Sequence, residues 1–310
     1  LRNSWIVVLA LAIAICGGSN ARGDENSFPT LERTGKDAPP SSSRETRFDF
    51  TSKTTGRAYR LMIAAPYKMD AAKTYPVIYI MDGYWYFRPA VDFGTEAGDR
   101  LQSAIIVGIG YPTEDYKEHC DRRMLDLSVP ADPAAKNPGD ARPADGDAYL
   151  RMIQDEVKPF VEKRYPVDKS RQTLYGKSLG GLMVLRQLFR NPEAFQTYVA
   201  ASPAISWNDK AVLADEAAFA TQAKAGKLRL KLLITSAELE QYRGTDPQQL
   251  EHANRSRMVD NASELAARLK TLDPANVIVD YVIFPGETHF SVSLACLGRG
   301  LSFALKPDVK

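Results

Sequence analysis

Six compact runs, at residues 75–81, 103–109, 171–175, 197–201, 228–235 and 277–284, most limit how this chain can fold. They are rich in β-branched and aromatic residues and shorter than ordinary helices, so they read as strands. Residues 75–81 and 103–109 carry almost no alternating polar positions. That is the pattern of strands buried on both faces of a mostly parallel sheet. Helical spacing appears between the runs: Leu150, Ile153, Val157, Phe160 and Val161 recur through residues 148–163, and helices are expected at 179–189 and, as one amphipathic element, at 247–272. Two earlier strands, 47–52 and 59–65, should join around Gly56. Alternation of strand and helix predicts an α/β layer architecture, with a single domain from residue 46 to residue 310.

The start of the chain reads differently. Arg2 precedes an unbroken apolar stretch from Trp5 to Ile15, and Ser19 and Ala21 suit a cleavage site, so residues 1–21 are expected to be an export signal. Lipid anchoring at Cys16 is disfavoured by the bulky Ile15 before it. Residues 22–45, rich in Ser, Pro, Gly and charge, read as a flexible approach to the fold. The mature protein is then expected in the periplasm or outside the cell, where Cys120 and Cys296 could pair, although nothing in the sequence places them together. No later run is long enough to span a bilayer. With 40 basic against 38 acidic residues, net charge +2, the chain offers no sustained field for nucleic acid. A further stretch, 126–147, is crowded with Pro, Ala, Asp and Gly and reads as a long structureless excursion that covers the site or hangs from the surface.

Chemistry concentrates at Gly176, Lys177, Ser178, Leu179 and Gly180, a G-x-S-x-G segment between the 171–175 strand and the 179–189 helix. Small flanking residues allow a sharp strand-to-helix turn that exposes a serine hydroxyl as a nucleophile. A hydroxyl needs a base, and the chain has three histidines. His119 precedes the serine and breaks the order serine, acid, histidine, while His252 falls within the long amphipathic helix. His289 follows the last strand and the Pro285, Gly286 turn, so it is the expected base. The acid should follow the 228–235 strand, where Glu240 is favoured over Glu238, with Asp246, Glu287 or a working serine–histidine pair without a close carboxylate as further alternatives. The backbone N–H groups of Leu179 and Tyr84, the latter in the loop after the 75–81 strand, are the expected oxyanion donors. Lys177, Arg122 and Arg123 could favour an anionic substrate, and Trp85, Tyr86, Phe87 and Trp207 could form an aromatic wall. Exposed charge and ordinary packing are the plain alternatives.

These landmarks carry a resemblance. YPVIYIMDG at 75–83, IIVGIGYP at 105–112, RYPVDKSRQTLYGKSLGGL at 164–182, YVAASPAISW at 198–207 and PGETHFS at 285–291 together look like the esterase family that includes esterase D-like enzymes and periplasmic hydrolases of siderophore trilactones. The resemblance covers residues 47–303. It implies an α/β-hydrolase fold, a mostly parallel central sheet with helices on both faces. Ser178 would be the nucleophile, His289 the base, and Leu179 with the Gly83–Tyr84 loop the oxyanion site. Glu240 fits a G-E-L-E-like stretch of the family, represented here by Ala237, Glu238, Leu239 and Glu240. Lys177 departs from the histidine that commonly precedes the serine. The implied activity is carboxylic-ester hydrolysis through an acyl-enzyme, without metal or organic cofactor, on a small ester that could be anionic or catecholate-bearing. A general carboxylesterase, an acyl-thioesterase, an acyltransferase and a noncatalytic ligand-binding descendant are the alternatives.

Overall fold

The computed structural model describes residues 43–66, 69–130, 144–241 and 246–307. The expected export signal, most of the following approach segment and the middle of the Pro-rich excursion lie outside these residues. Eight strands form one sheet in the order β1-β2-β4-β3-β5-β6-β7-β8. β1 (Ser43–Thr51) and β2 (Ala58–Pro66) make an antiparallel hairpin, and β2 pairs antiparallel with β4 (Ile105–Gly110). β3 (Tyr75–Ile80), β5 (Val167–Lys177), β6 (Thr197–Ala201), β7 (Leu230–Ala237) and β8 (Val277–Phe284) continue in parallel.

Alternate residues of the central strands enter two cores. Val77, Tyr79 and Leu174 join one with Ile153, Val157, Leu182, Leu185, Leu265 and Leu269. Ile78, Ile80 and Tyr175 face the other with Phe87, Val91, Leu297 and Leu301. Helices therefore cover both faces, which explains why β3 and β4 have no polar alternate. The chain has the expected α/β-hydrolase fold. α1 (Gly83–Ala97) and α9 (Ser293–Leu305) lie on one side. On the other are α3 (Gly146–Met152), α4 (Lys158–Arg164), α5 (Leu179–Arg190), α6 (Glu216–Lys224) and α8 (Met258–Lys270).

Three elements differ from the sequence expectation. The amphipathic stretch at 247–272 is two helices, α7 (Pro247–Ser256) and α8, because Arg257 takes a left-handed conformation with φ 41°. Asn261 Nδ2 donates to the Ser256 carbonyl at 3.1 Å, satisfying an acceptor that the break exposes. The 148–163 helix contains a π-helical turn over Ile153–Val157, ending two residues before Pro159. A proline supplies no N–H to the helix, and the wider turn gives its ring room. Finally, the sequence reading assigns no helix at 116–126, where α2 (Tyr116–Asp126) carries Arg122 and Arg123, and the two ends of the Pro-rich excursion meet, Asp145 N–H donating to the Leu125 carbonyl at 2.8 Å. Arg57 holds them together, reaching Asp126 at 2.7 Å and Asp145 at 2.8 Å. Residues 131–143 lie outside the described residues.

Candidate active site

β5 runs into α5 through Ser178, whose φ of 60° and ψ of −116° are unusual for a side-chain-bearing residue. The turn is locked by main chain: Ser178 N–H donates to Ala201 O at 2.9 Å, and Ala204 N–H donates to Ser178 O at 3.1 Å. A methyl group on Gly176 would sit 2.3 Å from Gly180 O, so only glycine permits this approach. The short-range pattern of the sequence thus becomes a strained elbow at the carboxyl edge of the sheet.

Two helix starts converge on that edge. Leu179 begins α5, and Tyr84 is the second residue of α1 rather than part of a loop. First-turn N–H groups have no acceptor within their own helix, so both can serve a developing negative charge. Gly83 lets α1 start directly against β4, since a Cβ there would lie 2.7 Å from the backbone of Gly108.

The β7 and β8 ends bring in the other two groups. Glu240 lies in a single 3-10 turn after β7, and its Oε1 is 2.8 Å from His289 Nδ1. Its Oε2 accepts from Ala237 N–H at 2.9 Å. Burial opposes charge on Glu240, but the His289 hydrogen bond and charge outweigh it and hold the carboxyl below its ordinary range. Burial also leads at His289 and pushes the imidazole below its usual value of 6.5, with Lys177 acting the same way and Glu240 in opposition. Glu238 points elsewhere and accepts from Gly286 N–H at 2.8 Å. Glu287 lies next to Ser291, and its backbone oxygen accepts from Leu239 N–H at 2.9 Å. Among the hydrogen bonds of the described residues, none joins the Ser178 hydroxyl to the His289 ring.

Several residues behave otherwise than the sequence suggested. Arg123 is almost buried and its Nε donates to Asp82 Oδ1 at 2.8 Å, so its charge is met inside the protein rather than offered to substrate. Arg122 bonds the Ala58 carbonyl and stacks 4.8 Å from the Tyr111 ring. The aromatic wall is dispersed: Phe87 is in the core, Tyr86 packs on Tyr175, Trp85 lies against His119, and Trp207 packs against the other core. Cys296 is a buried free thiol 3.0 Å from Thr235 Oγ1, so the Cys120–Cys296 pairing is not formed. His119 is buried among Tyr84, Trp85 and Tyr111, while the side chain of His252 is outside the described set. Asp82, at φ 56° before α1, lies in the expected oxyanion loop, but its role as the partner of Arg123 is not marked in the sequence.

The sequence profile described as "Putative esterase" matches residues 52–271. The chain belongs to this esterase family. The matched segment contains Ser178 and Glu240 and ends before His289. The ferri-bacillibactin esterase BesA of Bacillus subtilis (strain 168) is 35% identical over 266 residues, covering 83% of this chain and 88% of BesA. The siderophore triacetylfusarinine C esterase of Aspergillus fumigatus is 33% identical over 269 residues, covering 80% of this chain and 88% of its own. Among solved structures, the siderophore hydrolase EstB of Aspergillus nidulans superposes with a TM-score of 0.73 at 31% identity, covering 87% of this chain and 96% of EstB. No helix among the described residues is long and apolar enough to cross a membrane.

Proposed function

We propose that this protein is an exported serine esterase that cleaves siderophore-type esters through an acyl-enzyme on Ser178. The observation that carries the reading is the part-buried His289–Glu240 pair, 2.8 Å apart, at the sheet edge that also bears the Ser178 elbow. Because a charged carboxylate faces Nδ1, that nitrogen holds the proton of the neutral ring and Nε2 keeps its lone pair. Nε2 then takes the Ser178 proton as Oγ attacks the ester carbonyl. Negative charge on the carbonyl oxygen is received by the Leu179 and Tyr84 N–H groups. The C–O bond to the alcohol breaks as His289 returns the proton to the leaving oxygen. Water, deprotonated by the same nitrogen, attacks the acyl carbon and releases the acid and the serine.

Relatives named for siderophore ester cleavage support the substrate class. Tyr84, Leu239, Phe290 and Leu294 are exposed apolar side chains on or next to the segments that carry Glu240, His289 and the candidate oxyanion donor, which supports a bulky, partly apolar ester. Export rests on the N-terminal apolar stretch. The test is a panel of simple aryl esters, acyl thioesters, and ferric and metal-free siderophores, compared by kcat/KM. The expected result is highest kcat/KM for a siderophore ester; preference for thioesters, or equal rates for small aryl esters, would reject the substrate assignment.

A further inference from the structure

Lys177 ends β5 and immediately precedes Ser178, where sequence alone suggests a cation at the cleft rim. Its side chain instead turns inward: the residue is 4% exposed and Nζ donates to the His289 backbone oxygen at 2.6 Å. A buried ammonium is unfavourable unless hydrogen-bonded and electrically compensated, so its placement calls for a structural reason.

The His289 turn supplies one. Gly286 bonds Glu238, Glu287 accepts from Leu239, Thr288 and Ser291 bond one another, and the ring meets Glu240. These contacts tie the turn to itself and to the acid loop. Of the hydrogen bonds that touch residues 285–291 among the described residues, only that from Lys177 crosses to the strand bearing Ser178.

We propose that Lys177 is a positioning residue: it ties the His289 backbone to the nucleophile strand and, by its charge, favours the neutral imidazole that can act as base. The inference rests on the Ser178–His289 reading above. A cation beside the ring makes a second positive charge there costly, so it disfavours imidazolium. The groups facing Lys177 are Glu240 after β7, Cys296 on α9, Arg123 on α2 and Asp82 before α1, besides His289 itself. At the ring, Arg123 acts with Lys177 and Glu240 against it. Burial pushes the Lys177 ammonium down to about 8, so it stays charged throughout the acidic range in which His289 titrates.

Two variants separate the tether from the charge. Lys177→Met removes both, whereas Lys177→Gln keeps an N–H donor without the charge. In Lys177→Met, kcat should fall about tenfold or more with KM little changed, and the acidic limb of kcat/KM should move to higher pH. Lys177→Gln should recover much of kcat while keeping the shifted limb. Thermal unfolding reports whether each variant is folded, and if Lys177→Met is not, Lys177→Gln decides. A folded Lys177→Gln with the wild-type acidic limb, or a Lys177→Met with wild-type kcat, would overturn the proposal. Equal loss in both variants with no movement of the limb would also overturn it, since packing alone would explain that result. Phosphonate labelling at Ser178 should persist in both variants; failure of the wild type to label there would sink the underlying esterase mechanism instead.

Discussion

The elbow around Ser178 and the turn carrying His289 reach the same sheet edge, but main-chain bonds hold the first, whereas the second is gripped largely by side chains beside its main-chain bond from Leu239 N–H to the Glu287 carbonyl. Ser178 is fixed by N–H and carbonyl partners on Ala201 and Ala204, with Gly176 pressed against Gly180. His289 depends on Glu240 and Lys177, whose side chains arrive from two other strand ends. The elbow should therefore be intolerant of added bulk wherever backbones touch. The histidine turn should be sensitive to a few named functional groups and tolerant between them.

Loss of the proposed nucleophile is expected to give the largest effect. Ser178→Ala should lower kcat by roughly 10⁴-fold or more while leaving the fold intact, measured on a chromogenic ester. Removing the imidazole's partner comes next: Glu240→Gln should cost about 10²- to 10⁴-fold in kcat, because the ring loses its orienting carboxylate. A wild-type rate in that variant would mean that His289 is held without it.

The elbow's dependence on backbone contact is sharpened by Gly176→Ala. A Cβ placed 2.3 Å from Gly180 O forces strand and helix apart. The loss should be about 3 kcal/mol or more, read as a lowered urea midpoint with an unchanged m-value. An unaltered midpoint would show that the two segments separate easily.

For pH, the lowered His289 value means that neutral base survives below 6.5. The acidic limb of kcat/KM should consequently have its midpoint below pH 6.5. Stability has the same sign: below 6.5 the unfolded chain binds the His289 proton before the native one does, so this group's contribution falls as pH drops toward the folded value. A limb above pH 6.5 would contradict the part-buried, cation-flanked environment. The smallest effect is expected at Glu238→Gln, which alters only its hydrogen bond to Gly286. A loss of about fivefold at most is expected, since such a bond contributes roughly 1 kcal/mol.

This contrast also explains what could be read before the structure. The elbow is local: glycine spacing and a strand-then-helix pattern within a few residues specify it. Residues 197–201 coincide with β6, which is buried throughout, and residues 277–284 with β8, an edge strand that is partly exposed but marked by its run of β-branched and aromatic residues. Glu240 could be placed after β7, but choosing it over Glu238 required side-chain directions in a three-residue 3-10 turn. That Lys177 and Arg123 turn inward is not legible in the sequence, because a charged side chain carries no local mark of an internal partner 112 or 41 residues away. The break at Arg257 was equally silent, since neither glycine nor proline marks it and Asn261 does the capping from the next helix.

The central claim is that the Ser178 oxygen is the nucleophile and that His289 makes it reactive. Intact-mass analysis after treatment with an active-serine phosphonate, followed by peptide mapping, addresses this directly. One adduct on the Ser178 peptide is predicted, absent from Ser178→Ala and formed far more slowly in His289→Ala. An adduct on another residue, or undiminished labelling in either variant, would contradict the account.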